Sequence, residues 1–481
     1  MSEISKNSLK HFLLQLDCHF TWNLQKEDID IPYTEERIDD QLEYLTIKSK
    51  ISLFNLMAYV KHLKGQNEEA LESLKSAEEM VQENYADHVE RRSLVTWGNY
   101  AWIYYHMDRL TEAQTYLDKV EASCRKLSSP FRYKVELPEI ECEKGWSFLK
   151  FGGKYYDKAK ASFEKALESE PEHPEFNTGF AIVTYRMDDF DRDGTDIKSL
   201  SLSPLRKALK LDPKCTFVKV LLALKLQDLG KSSEGEKYIQ EALDQVASEP
   251  YVFRYAAKFY RRGNNVERAI ELLKKALKLV PTSAFLHHQM GLCYKTQIIS
   301  IKKATRKKPR GKDKQEVDTL IQSAIFHFET AVREKPLFVF AYFDLANMYS
   351  EAGQFGKAEG IFHKVLGLEH VRKEEKQQAH FKYGCFLQFH RKNGDLAMHH
   401  YLEGIKITPK LCTPLVKVLQ NLALKRLNQN SSDAKSLEAL ALVHKLRGEK
   451  SQAIVYYERA LKQDPSNSEY IGALLELRLS I

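Results

Sequence analysis

A chain that repeats itself every ~34 residues cannot wrap around one central core; each repeat has to bury itself against its neighbours. Such a repetition runs through these 481 residues. Trp97, Tyr100, Ala101, Tyr104 and Ala113 fit one copy, and Ala159, Phe163, Ala166 and Pro171 close another. Ala269, Leu273, Ala276 and Pro281 end a third, and Ala324, Phe328, Ala331 and Pro336 a fourth. The clearest copy is Tyr342, Leu345, Ala346, Tyr349, Gly353, Ala358 and Phe362. Leu440, Ala441, Gly448, Ala453, Tyr457, Ala460 and Pro465 end the series, and weaker copies begin near Phe54, Asn177, Lys219 and Phe381.

This is the tetratricopeptide pattern. Its small residues let paired helices approach, and its aromatics fill the space between neighbouring pairs. The expected fold is therefore all-α, a tetratricopeptide-repeat α-solenoid bent into subdomains around a central basic groove or tunnel. The expected segments are N-terminal helices over 1–50, N-terminal and central repeats over 51–245, central repeats over 246–365 with a basic insertion at 297–317, and C-terminal repeats over 366–481. The period breaks at an insertion over 188–203, at a longer one over 297–318, at a charged connector over 364–376, and at an extra helical segment over 410–433.

Composition narrows the function classes. No run of eighteen apolar residues exists, so a membrane span is not expected, and the opening Met1-Ser-Glu-Ile-Ser-Lys lacks the apolar stretch of a secretory signal. The seven cysteines are scattered and form no C-x-x-C pair, which argues against a disulfide framework or a zinc site and fits a cytoplasmic protein. A net charge of +7 is modest for this length. A polyanionic partner would need that charge to be concentrated.

One helix shows where. Phe253, Ala256, Ala257 and Tyr260 make a buried stripe at i, i+3, i+4, i+7, while Tyr251, Arg254, Lys258 and Arg261 repeat that spacing out of phase. A core helix has no use for a second, cationic stripe. Equivalent inner-face positions on other repeats are Glu175, Ile182 and the adjacent Arg186, then Phe217, then Phe285, His288 and Gln289, then Phe340 and Phe343. Aromatics interleaved with cations suit single-stranded nucleic acid, where bases stack on rings and cations follow phosphates. Singly, such a ring is more often core and such a cation more often solvated; the shared phase over 251–261 favours the ligand. The run Lys302-Lys-Ala-Thr-Arg-Lys-Lys-Pro-Arg-Gly-Lys-Asp-Lys314, including Lys308, is expected to be a flexible electrostatic arm.

Catalytic motifs are missing. No phosphate-binding P-loop, dinucleotide fingerprint or H-E-x-x-H occurs, and the pairs His287-His288 and His399-His400 lack carboxylates at ligand spacing. The expectation is a non-enzyme with no cofactor, apart from a divalent cation that RNA phosphates would bring.

Cys18-His-Phe-Thr-Trp22, Leu56-Met-Ala-Tyr-Val-Lys-His-Leu-Lys-Gly-Gln66, Arg92-Ser-Leu-Val-Thr-Trp-Gly-Asn-Tyr-Ala-Trp102 and Leu286-His-His-Gln-Met-Gly-Leu-Cys-Tyr294 resemble the interferon-induced proteins with tetratricopeptide repeats, the IFIT family. The resemblance covers essentially the whole chain. Its two ends are similar to the fifth member, and Phe131-Arg-Tyr-Lys-Val135 to the first. It implies an antiviral protein that binds the 5′ end of single-stranded RNA without hydrolysing it, marking a 5′-triphosphate or a cap lacking ribose 2′-O-methylation. On that resemblance, Arg37, Gln41, Lys150, Arg186, Tyr251, Arg254, Tyr255, His288 and Gln289 stand at the 5′ phosphates and first nucleotides. Lys48, Tyr156, Lys258, Arg261, Phe285, Lys308, Phe338 and Phe340 follow the RNA chain. Trp146, with Leu45, Ile47, Glu175, Ile182 and Phe217, falls where some members hold the cap guanine, although Trp146 is equally a repeat-core position. Tyr457 and Leu461 match a Tyr-x-x-x-Leu segment through which some members pair, so a homo- or hetero-oligomer is a further expectation. The alternative reading is an adaptor that grips a peptide or protein partner of innate immune signalling.

Overall fold

The computed structural model describes residues 6–29, 31, 34–35, 38, 42, 50–190, 200–245, 249–369, 371, 373–407 and 413–479, with side chains of 189 and 190 excepted. Among these residues there is no strand, and no helix is long and apolar enough to cross a membrane. Helices come in antiparallel pairs, for example Leu94–His106 with Leu110–Lys126, and Pro250–Arg262 with Val266–Leu279.

The two helices of a pair differ for a physical reason. The first is enclosed by its own partner and by neighbouring repeats, so it buries more of its circumference than the second does. In Thr216–Asp228, every residue from Val218 to Leu226 is buried. The second helix covers only one side and needs one stripe, as Val266, Ala269, Leu272, Leu273 and Ala276 show. Asn265 caps that helix by accepting from the backbone N–H of Arg268 at 3.2 Å, and Asn264 at φ 64° turns the chain into it.

Glycine sets the closeness of approach at particular points. A Cβ added to Gly179 would collide with the ring of Phe163, and one on Gly291 would stand 2.5 Å from Phe328 Cε1. Each ring is fully buried and rests on a bare Cα of the facing helix.

The chain divides into two compact units, Met1–Pro281 and Thr282–Ile481. The extra helical segment appears as Thr413–Gln429. The 297–318 insertion departs from expectation: the flanking helices extend through it as Ala284–Ala304 and Gly311–Glu334, leaving a short turn at 305–310. Ile298, Val317 and Ile321 supply a buried apolar seam that keeps both helices wound. Its cations therefore sit at the tip of a helical hairpin and not on a flexible arm.

Candidate nucleic-acid interface

In the first unit the site is built on Pro250–Arg262, with proline at its start where no backbone donor is missed. Phe253, Ala256, Ala257 and Tyr260 are buried as their spacing requires, and Val252, Tyr255 and Phe259 join them. Tyr251, Arg254, Lys258 and Arg261 are each half-buried. The second stripe thus exists, and its cations are partly shielded from water.

Arg186, on Pro174–Phe190, donates from Nη2 to the Tyr255 hydroxyl at 2.7 Å. The Arg254 guanidinium lies over the Tyr255 ring, 4.7 Å from its centroid. Phe217 tilts against that ring at 5.6 Å and meets Tyr251 edge-on at 5.2 Å. Burial pushes the Tyr255 phenol up, but Arg186, Arg254 and Lys258 outweigh it and bring the group down to about 7. The same charge on Tyr255 holds Arg186 above the ordinary guanidinium range against its burial, with Tyr156 and Tyr185 adding to the effect. Among the described residues no carboxylate pairs with Arg186. Tyr251 is engaged differently: its hydroxyl donates to Glu249 Oε2 at 2.5 Å and meets Thr216 Oγ1 at 2.6 Å. Burial and Glu249 together push its phenol up.

The second unit holds its own cluster. Phe338 packs at 4.9 Å from Phe285 and 4.7 Å from His288, and Lys335 lies over Phe285 at 5.0 Å. His288 Nε2 stands 2.9 Å from Asp344 Oδ2, and Lys295 Nζ donates to Asp344 Oδ1 at 2.7 Å. Burial would raise the Asp344 carboxyl, but His288 and Lys295 hold it below the usual range. Gln289 is half-buried one position on, and Phe340, 50% exposed, meets Phe343 edge-on. Asp344, Lys295 and Lys335 were absent from the sequence expectation. Asp344 lies one helical turn after Phe340, so the inner-face spacing could have found it.

The remaining expected residues sort as follows. Arg37, Gln41, Leu45, Ile47 and Lys48 lie outside the described residues. Lys150 is half-buried on Pro138–Phe151. Trp146 packs edge-to-face on Phe163 at 5.3 Å and Ile182 is buried, so both have packing roles. A cavity of about 190 Å³ opens nearby, lined by Arg91, Arg92, Glu139, Glu143 and Glu175 among others; Trp146, Ile182 and Phe217 do not line it. Burial pushes the Glu143 carboxyl up to about 7, opposed by a 2.9 Å hydrogen bond from Asn55 and reinforced by Glu175. Lys308 is exposed at the 305–310 turn, where Arg306 and Lys307 adopt φ of 50° and 66°. The expected pairing segment takes part in the repeat's own packing. Tyr457 is 3% exposed and packs with Tyr470 at 6.3 Å, and Leu461 lies half-buried against the same cluster, because both fall on the repeat's core stripe. No group of three or more His, Cys, Asp or Glu suited to a metal ion occurs among the described residues.

Comparison with known proteins places this arrangement. Residues 150–173 and 436–469 match models of the tetratricopeptide repeat, and residues 193–304 match the N-terminal TPR repeats region of Psidin. The human protein named antiviral innate immune response effector IFIT1 is 54% identical over 458 residues, covering 95% of this chain and 96% of its own. The chain belongs to the IFIT family. Human IFIT2 is 42% identical over 481 residues, covering 98% and 100%. Among solved IFIT structures, an IFIT1 monomeric mutant with Gppp-AAAA superposes at a TM-score of 0.85 with 54% identity, covering 95% of this chain and 99% of that one. A human IFIT1 dimer with PPP-AAAA gives a TM-score of 0.81 with 53% identity, covering 94% and 99%. The all-α tetratricopeptide solenoid is thus shared with the IFIT relatives along nearly the whole length.

Proposed function

We propose that this protein binds the 5′ end of single-stranded RNA, bearing a triphosphate or a cap without ribose methylation, and withholds that RNA from translation in the cytoplasm as an antiviral effector. The observation that carries this reading is the Arg186–Tyr255–Arg254 cluster. It gathers half-buried positive charge beside stacking rings with no carboxylate paired to Arg186 among the described residues, the situation a phosphate relieves. Relatives solved with Gppp-AAAA and PPP-AAAA support the same ligand class. Within the first unit, Arg254 faces the terminal phosphates and Arg261 the chain behind them; in the second unit, Phe285 and Phe338 with His288 offer ring faces to nucleotides. The groups gathered at Arg186 offer such a ligand positive charge and ring faces.

The experiment is a gel-shift titration with one RNA sequence carrying a 5′-triphosphate, an unmethylated-ribose cap, a methylated-ribose cap or a 5′-hydroxyl. Binding of the first or second over the last, abolished by Arg254→Glu, is the expected result. Equal affinity for all four, or an Arg254→Glu variant that binds as tightly as the parent, overturns it. Self-association or pairing with other family members is part of the proposal, supported by the human IFIT1 dimer.

A further inference from the structure

Tyr255 is placed unlike any other phenol near the site. It is only 4% exposed, its hydroxyl is held by a half-buried guanidinium, and its ring carries a second guanidinium. Among the described residues, the charged groups that act on it are cations. Its own helix contributes Arg254 and Lys258, and Tyr251 is tied to Glu249. Pro174–Phe190 contributes Arg186 and Tyr185, and Tyr156 faces the same arginine. Thr216–Asp228 contributes the Phe217 ring, while its Lys225 is ion-paired at 2.6 Å to Asp188 and its Lys219 at 3.0 Å to Glu241. From the two other helices packed on this one, Glu236 and Arg268 act on Tyr260, on the far side.

A cation partly shielded from water normally has a carboxylate for company, because the hydration it gives up has to be replaced. Here the group hydrogen-bonded to Arg186 is a phenol. We infer that Tyr255 serves as the internal counter-anion of the Arg186 site, and that seating an RNA phosphate there returns a proton to the phenol oxygen. This rests on the RNA-end reading above and specifies its regulation. In the free protein the phenolate oxygen accepts from Arg186. When a phosphate arrives, its oxygens take over the two guanidiniums, and its negative charge makes a neighbouring phenolate unfavourable. One proton moves from solvent to Tyr255 Oη, and no other bond changes. The phenol, neutral again, can donate to the phosphate it has made room for. The depressed value near 7 places the switch within the physiological range. The signs follow directly: below that value the phenol already holds its proton and binding is insensitive to pH, while above it each bound RNA must draw a proton from a more dilute supply.

The test compares the full-length protein with Tyr255→Phe, titrating 5′-triphosphate RNA from about pH 6 to about pH 9. The phosphate's own titration is common to both proteins and cancels in their ratio. Expected is a wild-type affinity that falls up to about tenfold per pH unit above 7 relative to the variant. Parallel profiles overturn the inference while leaving the RNA reading intact, whereas absence of binding by wild type at every pH overturns that reading too. Should Tyr255→Phe fail to fold, the wild type alone decides. Calorimetry at about pH 8 in two buffers of different ionisation enthalpy, with the tyrosinate absorbance followed in parallel, should show uptake approaching one proton and loss of that absorbance on RNA addition. No uptake and no loss overturn the inference.

Discussion

His288 and Asp344 meet at 2.9 Å across the first helices of two successive repeats, and the same carboxylate receives Lys295 at 2.7 Å. One acidic side chain therefore fixes both an imidazole and an ammonium beside the Phe285–Phe338 ring pair. Because Asp344 is held below the usual carboxylate range, its contribution to stability is full above the unfolded-state value near 3.9 and disappears as pH falls through the lower folded value. Asp344→Asn should cost about 1–3 kcal/mol at neutral pH. Urea unfolding at neutral and strongly acidic pH should show that deficit in the first and not the second.

Glu143 has the opposite sign. Its carboxyl, raised to about 7, binds a proton in the folded state over a window where the unfolded chain has released it. Stability should therefore fall as pH climbs from about 4.5 to about 7. Glu143→Gln removes that slope. At about pH 8 the variant should be more stable by about 1–3 kcal/mol, at the lower end because the carboxyl opens onto the cavity and retains some water. Melting temperatures of both proteins across this range check it.

Gly179→Ala places a methyl into the ring of Phe163, which is itself fully enclosed. Overpacking of this kind should cost about 1–3 kcal/mol. Phe163→Leu in the same chain should recover part of the loss, since the smaller side chain leaves room for the methyl, and a double-mutant cycle by urea unfolding measures the coupling.

Arg306, Lys307 and Lys308 are exposed together at the tip of the helical hairpin. Replacing all three by alanine should weaken every RNA alike without altering the ranking of 5′ ends. The slope of log affinity against log salt should shrink by about 0.7 for each phosphate that these side chains neutralise. Binding titrations of triphosphate and capped RNA at several salt concentrations report both quantities.

How much of this was legible in the sequence varied with distance along the chain. Helix phase is local, so the buried stripe of Phe253, Ala256, Ala257 and Tyr260 and the half-buried stripe of Tyr251, Arg254, Lys258 and Arg261 could be read from thirteen consecutive residues. The pairing of Arg186 with Tyr255 joins positions 69 apart, and that of His288 with Asp344 positions 56 apart. Neither separation leaves a periodic trace. The basic insertion misled because its density of lysines and arginines hid the widely spaced Ile298, Val317 and Ile321 that keep its helices wound. Trp146 illustrates a further limit: aromatic residues suit both a ligand face and a repeat core, and only its edge-on contact with Phe163 shows the second role.

The rings of Phe163 and Phe328 rest on Gly179 and Gly291, at points where a Cβ would find no room. The helix spacing there is set by fully buried rings and bare Cα atoms, none of which is among the proposed RNA contacts such as Arg254 and Phe340. Framework and reading surface are therefore separately editable: side chains facing the ligand can be exchanged to suit a different RNA end without re-registering the helices that present them. A family confronted with changing viral RNA can diversify its specificity at fixed architecture.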